Sequence, residues 1–415
     1  MAARKGSPPG GRRTRWRRRL LVVAAVTVGS IVAGYAIAWW VVQPPRPGGF
    51  YTAPAEVDPR PGVLLRAETI DSDVPHIDAY RILYSSRDLH DQPIAVSGLV
   101  LVPRAAAPDT GFPVVAWAHG TSGVARRCAP SLTPGSVTRT VAGAEALVGA
   151  GYLVVATDYP GLGTDGTHPY LIGDGEGRAV LDSVRAARSR PDWRAGPRVA
   201  VWGHSQGGHA ALFATRLAPG YAPELELVGT AVAAPATELS VLLRQDLTEP
   251  AGKVFGSIAL TSWARLFPDA RLSEVVRAKD RPLVAAVAAS CIETNRQGLV
   301  LLPVVALMSK DFVSRDLTAT EPWAGIIADN SVPAQGIDVP LFLAQGTADT
   351  VIHPEVSRDW VRGLCRHNPA VTYREYAGKD HLSVLPAAVT DVLAWVGGRF
   401  AGQPPAKACP AAGPS

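Results

Sequence analysis

One junction constrains this chain more than any other. Arg198–Trp202 is a short, mostly apolar run that leads straight into Gly203-His204-Ser205-Gln206-Gly207, and Gly208–Leu217 then has the apolar spacing of a helix. A strand that becomes a helix within a few residues must turn tightly, and glycine permits this by omitting the side chain. Such a turn lifts the serine hydroxyl above the strand end. It also sets it at a helix N-terminus, where free N–H groups and the helix dipole favour negative charge. As a bare pattern, Gly-x-Ser-x-Gly is only moderately specific, and the same turn could carry an inert serine. The strand before it and the helix after it are what a nucleophile elbow requires.

The rest of the chain repeats the alternation. Tyr80–Tyr84 and Ile94–Val102 read as a hairpin of outer strands, and Phe112–Ala118 has the continuous apolar character of a buried parallel strand. Helix Val141–Gly149, strand Tyr152–Thr157, helix Gly177–Arg188 and strand Leu225–Ala233 follow. Leu341–Ala344 and Thr372–Tyr376 are later strands, each followed by a helical pattern. Strands alternating with helices predict an α/β fold, a mostly parallel sheet with helices on both faces. With the elbow, this is the α/β-hydrolase fold. Between the strands near Ala234 and Val339 the alternation stops, and Leu239–Leu247, Val254–Leu266, Leu283–Cys291 and Leu299–Met308 are apolar and helical. Residues 238–337 are therefore expected to form a helical cap inserted over the carboxyl ends of the strands, within a catalytic domain spanning 63–402.

A serine hydroxyl needs a base to take its proton, and the base needs an acid to orient it. In this fold the acid and then the histidine follow the serine, each in a loop after a strand. Asp349 lies beyond Leu341–Ala344 and His381 beyond Thr372–Tyr376, so Ser205, Asp349 and His381 are the expected catalytic set. Asp380 is a rival acid, but a residue adjacent to the base in sequence rarely points at its ring. Asp158 reads as a turn residue, and His168, His353 and His367 as surface or loop residues. The backbone N–H of Gln206 is one expected oxyanion donor. His119-Gly120-Thr121, after Phe112–Ala118, offers the second, with Thr121 the favoured residue and Gly120 and Ser122 its neighbours. No cofactor or metal is implied: Gly161-Leu162-Gly163 lacks the third glycine and the following helix of a dinucleotide site, and no His-Glu-x-x-His or Walker loop occurs.

The N-terminus bears on compartment. Of 41 basic residues, eight (Arg4, Lys5, Arg12, Arg13, Arg15, Arg17, Arg18, Arg19) lie in residues 1–19, which hold no acid. The remainder has 33 basic against 36 acidic residues, which gives nucleic-acid binding little support. Leu20–Val42 then runs without a charge. As a helix it would span roughly 34 Å against a hydrocarbon core of about 30 Å. This predicts a basic cytoplasmic tail and a membrane-spanning signal anchor over 20–42, with Trp39 and Trp40 at the far interface. The alternative is a cleaved signal peptide, for which Ala36 and Ala38 offer a site. Residues 43–62, rich in Pro and Gly, are expected to be a linker. Cys128, Cys291, Cys365 and Cys409 fit an exported chain with two disulfides, for which three connectivities exist.

Across roughly residues 60–402 the chain resembles the secretory lipase family of the yeast lipase A type. The resemblance is carried by His119-Gly120-Thr121, Cys128-Ala129-Pro130-Ser131, the elbow, Tyr221-Ala222-Pro223-Glu224-Leu225, Gln345-Gly346-Thr347-Ala348-Asp349 and His381-Leu382. It implies an extracellular carboxylester hydrolase acting on lipid-like esters, a helical cap that binds acyl chains, and Ser205, Asp349 and His381 as the triad. It also implies that Cys128 pairs with Cys291 and Cys365 with Cys409. The yeast enzymes differ at the oxyanion loop, and the N-terminal segment is not a family feature. The same triad could also serve acyl transfer to an alcohol or peptide cleavage, and a retired hydrolase scaffold could serve as a binding protein.

Overall fold

In the computed structural model, which describes residues 11–133, 137–245, 247–368 and 370–410, nine strands form one sheet in the order β1-β2-β3-β5-β4-β6-β7-β8-β9. Strands β1 (Leu64–Ile70), β2 (Ile77–Arg87) and β3 (Pro93–Pro103) are antiparallel, and β3 joins antiparallel to β5 (Leu153–Thr157). From β5 through β4 (Phe112–Ala118), β6 (Ala195–His204), β7 (Glu226–Ala233), β8 (Leu341–Gly346) and β9 (Val371–Tyr376) every pairing is parallel. The continuous apolar runs of β4 and β5 are explained by position: both strands are covered on two faces. The strand order reverses at β4, so the ends of β4 and β6, in register at Ala118 and Gly203, open a crevice at a topological switch point.

Helices α4 (Gly173–Arg188), α5 (Gln206–Tyr221) and α12 (Pro354–Leu364) share one hydrophobic core with Val114, Val199, Val201, Leu341 and Leu343. On the opposite face α2 (Val137–Thr140), α3 (Ala144–Gly149) and α13 (Val384–Phe400) pack with Val115, Trp117, Ala200, Trp202 and Phe342. Alternate residues of one strand thus supply the two cores, as the pleat requires. Between β7 and β8 lie α6 (Leu239–Gln245), α7 (Pro250–Leu266), α8 (Leu272–Val275), α9 (Arg281–Ala288), α10 (Asn295–Leu307) and α11 (Trp323–Asn330). Apolar residues of this segment, among them Ile258, Trp263, Val284 and Leu301, join the core of the second face. Thr294 and Gln297 start α10 with a reciprocal capping box. The disulfides are Cys128–Cys291, which ties the loop after β4 to this segment, and Cys365–Cys409.

Two expectations change. Leu20–Val42 falls in one helix, α1 (Gly11–Val42). Its last turns, however, are docked on protein: Tyr35 donates to the Val300 carbonyl and Trp39 Nε1 to Ser290 Oγ, both at 2.8 Å. Among the described residues, which leave out several side chains of α1, no helix is long and apolar enough to cross a membrane, so the expected membrane span is not supported. Arg4 and Lys5 lie outside the described residues. Residues 43–62 do not hang free as a linker either. Phe50 and Tyr51 are buried, and Gln43 Oε1 accepts the Cys291 N–H at 2.9 Å, because aromatic and amide side chains among the prolines give this stretch something to pack and bond.

Candidate active site

Ser205 occupies φ 56° and ψ −120°, a strained conformation for a residue with a side chain, between the end of β6 and the start of α5. The flanking glycines make it attainable. A Cβ at Gly203 would collide with the Gly207 carbonyl, and one at Gly207 with the Ala118 carbonyl, so the helix can close on two strand ends only without side chains there. Hence the sequence Gly-x-Ser-x-Gly.

His381 Nε2 lies 2.9 Å from Ser205 Oγ, and His381 Nδ1 lies 2.8 Å from Asp349 Oδ2. All three residues are buried, and each comes from the carboxyl end of a different strand: β6, β8 and β9. Asp349 accepts the N–H groups of Val351 and Ile352 at 2.8 and 2.9 Å through its other oxygen. Burial alone would raise its pKa. The His381 hydrogen bond and charge and the two amides outweigh that and hold the carboxyl below its usual range, so it stays ionised. Asp380, the rival acid, is exposed and bonds the Leu382 and Ser383 N–H groups at the start of α13.

Three other histidines and a glutamate support this set, and reading the sequence did not single them out for it. His204 Nε2 donates to the His381 carbonyl at 2.8 Å, and the two rings lie 4.8 Å apart. Burial, then the His381 charge, lowers the His204 pKa to about 3, so that ring stays neutral. His168 was expected at the surface or in a loop. It is in a loop but buried, 2.9 Å from the Gln206 side-chain nitrogen. That nitrogen also donates to Glu176 Oε1 at 2.6 Å, and Glu176 Oε2 faces His209 Nδ1 at 3.3 Å. His209 Nε2 donates to the Asn330 carbonyl at 2.8 Å, which fixes the ring against Glu176. Burial raises the Glu176 pKa, while the hydrogen bonds and charge of His209 and the Gln206 amide oppose that rise. Asp158, expected as a turn residue, is instead buried and accepts from Ser97 Oγ at 2.6 Å and the Ser131 N–H at 2.9 Å. These roles arise only when distant loops meet, which no local pattern encodes.

Two cavities meet at Ser205. A narrow one of about 70 Å³ passes Gln206 and runs between α6 and α7, lined by Leu239, Leu243, Leu247, Phe255, Gly256 and Trp263. A chamber of about 750 Å³ holds Gly120, Thr121, His381 and the α10 leucines Leu299 and Leu302 in its walls. The expected oxyanion residues thus stand on the two sides of Ser205, Gln206 at the narrow cavity and Thr121 at the wide one. Among the described residues, no group of three or more His, Cys, Asp or Glu side chains could hold a metal ion.

The chain is 25% identical to lipase 6 of Candida albicans, over 89% of this chain and 84% of that protein. It is 24% identical to a Mycobacterium tuberculosis protein named a probable inactive lipase, over 90% and 89%. The X-ray structure of Candida antarctica lipase A in its closed state superposes with a TM-score of 0.73 at 21% identity, covering 89% of this chain and 92% of that one, a likeness of fold. The profile of the secretory lipase family matches residues 138–408, more than half of the chain, and the chain therefore belongs to that family of ester hydrolases.

Proposed function

We propose that the protein hydrolyses lipid-like carboxylic esters outside the cytoplasm through an acyl-enzyme on Ser205. The observation that carries this reading is the unbroken hydrogen-bonded chain Asp349–His381–Ser205 at the junction of two cavities. Ser205 Oγ attacks the ester carbonyl as His381 Nε2 takes its proton, and Asp349 holds the ring and stabilises the imidazolium. The Gln206 and Thr121 N–H groups receive the negative oxygen. His381 then returns the proton to the leaving alcohol, and water activated by His381 releases the acid.

His381 must reach the leaving oxygen, and it lines only the wide chamber, so the alcohol half lies there. The acyl half then enters the narrow apolar cavity, under the helices of residues 238–337 acting as a cap. A relative named probable inactive makes a binding-only reading concrete, but all three reacting side chains are present here and within hydrogen-bonding distance. A fluorophosphonate is expected to label Ser205, and Ser205→Ala to lose labelling and ester turnover together; turnover that persists in Ser205→Ala overturns the proposal.

Location outside the cytoplasm is supported by the basic-then-apolar N-terminus and by two disulfides, which persist in oxidising compartments. Cell fractionation with N-terminal sequencing of the recovered protein tests it. Recovery of all the protein in the cytoplasm, with free thiols, contradicts it.

A further inference from the structure

The loop between β5 and α4 reaches both sides of the proposed oxyanion hole. On one side the Tyr170 hydroxyl lies 2.9 Å from Thr121 Oγ1. On the other, His168 Nε2 lies 2.9 Å from the Gln206 side-chain nitrogen. The direction of that second bond is determined. His168 Nδ1 is 3.1 Å from the Pro160 carbonyl, which can only accept, so Nδ1 carries the proton. Burial, then the charge of His119, lowers the His168 pKa to about 3 and keeps the ring neutral. Nε2 is therefore the acceptor, and the Gln206 amide donates to it and to Glu176 together. Gln206, His168 and Glu176 are 1%, 1% and 0% exposed, so water does not compete for these bonds.

The same loop is gripped from above by α7. Ser262 Oγ donates to the His168 carbonyl at 2.6 Å and accepts the Tyr170 N–H at 3.1 Å. The next residue, Trp263, donates its Nε1–H to the Tyr170 carbonyl at 2.8 Å. Two neighbouring side chains of the cap thus clip the backbone of residues 168–170, and two side chains of that loop brace Thr121 and Gln206.

We infer that Tyr170 and His168 are positioning residues, and Ser262 their clip, through which α7 sets the placement of the two oxyanion donors. This rests on the reading of Thr121 and Gln206 given above. Oxyanion donors act at about 2.7–3.1 Å from an oxygen whose charge develops only in the transition state. A displacement of a few tenths of an ångström therefore weakens the transition state more than the bound ester, and it lowers kcat rather than raising KM. Trp263 also lines the narrow cavity, so the wall that meets the acyl group is the element that holds the hole.

The test uses Tyr170→Phe, which removes one oxygen, and Ser262→Ala, with Ser205→Ala as reference. The readouts are 4-nitrophenyl butyrate kinetics, the Kd of an alkylboronic acid that adds to Ser205 as a tetrahedral anion, and Tm. Removing a donor outright costs about 10²–10³ in rate, so displacing one is expected to lower kcat roughly 10-fold. KM should stay within about two-fold, boronate affinity should fall by the same factor as kcat, and the double variant should lose less than the product of the singles because both act on one loop. If Ser262→Ala melts below the assay temperature, Tyr170→Phe alone decides. Unchanged kcat and boronate affinity in Tyr170→Phe overturns the inference, as does a lower kcat with unchanged boronate affinity. Persistent turnover in Ser205→Ala overturns the catalytic reading beneath it instead.

Discussion

Glu293 stands half-buried in the wall of the wide chamber, with no hydrogen bond or ion pair among the described residues. Burial is the largest influence on it; Arg139 opposes that and Asp158 adds to it, and the pKa is pushed up to about 7 from 4.5. The sign follows from linkage. Between about pH 4.5 and 7 the unfolded chain releases this proton while the folded chain keeps it, so folding loses stability as pH rises through that window. Glu293→Gln is therefore expected to leave Tm unchanged at pH 4.5 and to raise it by about 1–3 °C at pH 8. A thermal melt at both pH values checks this, and equal shifts at the two contradict it. That Ser205, Asp349 and His381 would come together was legible in sequence because chain order and strand ends constrain them. Glu293, Glu176, His168 and His204 were not, because their roles come from burial and from partners on other elements. Thr121 lies between these cases: its position after β4 is legible, while the Tyr170 hydroxyl that braces it lies 49 residues along the chain.

At the scale of elements, strands with continuous apolar runs were read to within a few residues, β4 with its ends unchanged. Strand β1 was missed, since Leu64–Ile70 is half-buried at the sheet edge and its Arg66, Glu68 and Thr69 break any apolar run. Helix α11 was missed as well, because its large apolar residues Trp323, Ile326 and Ile327 span little more than one turn. The place where the alternation stops was readable, and the family resemblance implied the Cys128–Cys291 tie that fastens the segment, although spacing alone left three connectivities open. Cys128–Cys291 closes a span of 163 residues from the loop after β4 to the end of α9. Replacing both cysteines by serine is expected to cost about 2–5 kcal/mol, with the larger share falling on the tethered segment. Limited proteolysis should then cut first between residues 239 and 330 while the sheet core stays protected. Cleavage unchanged from wild type, with an unchanged Tm, contradicts that tether.

For the whole molecule, the N-terminal segment and the helical segment between β7 and β8 form one contact surface, which changes what a sensible fragment would be. The basic tail, membrane span and linker expected from the sequence would leave residues 1–62 outside the folded body. The structure instead runs residues 39–44 as a strap across the Cys128–Cys291 bridge. Trp39 donates to Ser290, Gln297 donates to the Val42 carbonyl at 3.2 Å, Gln43 accepts from Cys291, and Arg127 donates to the Pro44 carbonyl at 3.1 Å while its guanidinium lies 6.0 Å from the Trp39 ring. A chain beginning at Arg46 leaves the Cys291 N–H and the Gln297 amide without these acceptors, at about 1–3 kcal/mol for each buried group left unpaired. A chain beginning at Trp39 keeps them. The 46–415 fragment is therefore expected to melt several degrees below the 39–415 fragment. Both should keep kcat on a soluble short-chain ester within about two-fold, because Ser205, His381 and Asp349 take no bond from the strap. The strap's partners Cys291 and Gln297 flank Glu293, Thr294 and Asn295 of the chamber wall, so KM for an ester with a bulky alcohol should rise in the shorter fragment. Equal melting temperatures would leave the strap a contact without energetic weight, and a lost kcat would place the N-terminal segment in the catalytic machinery itself.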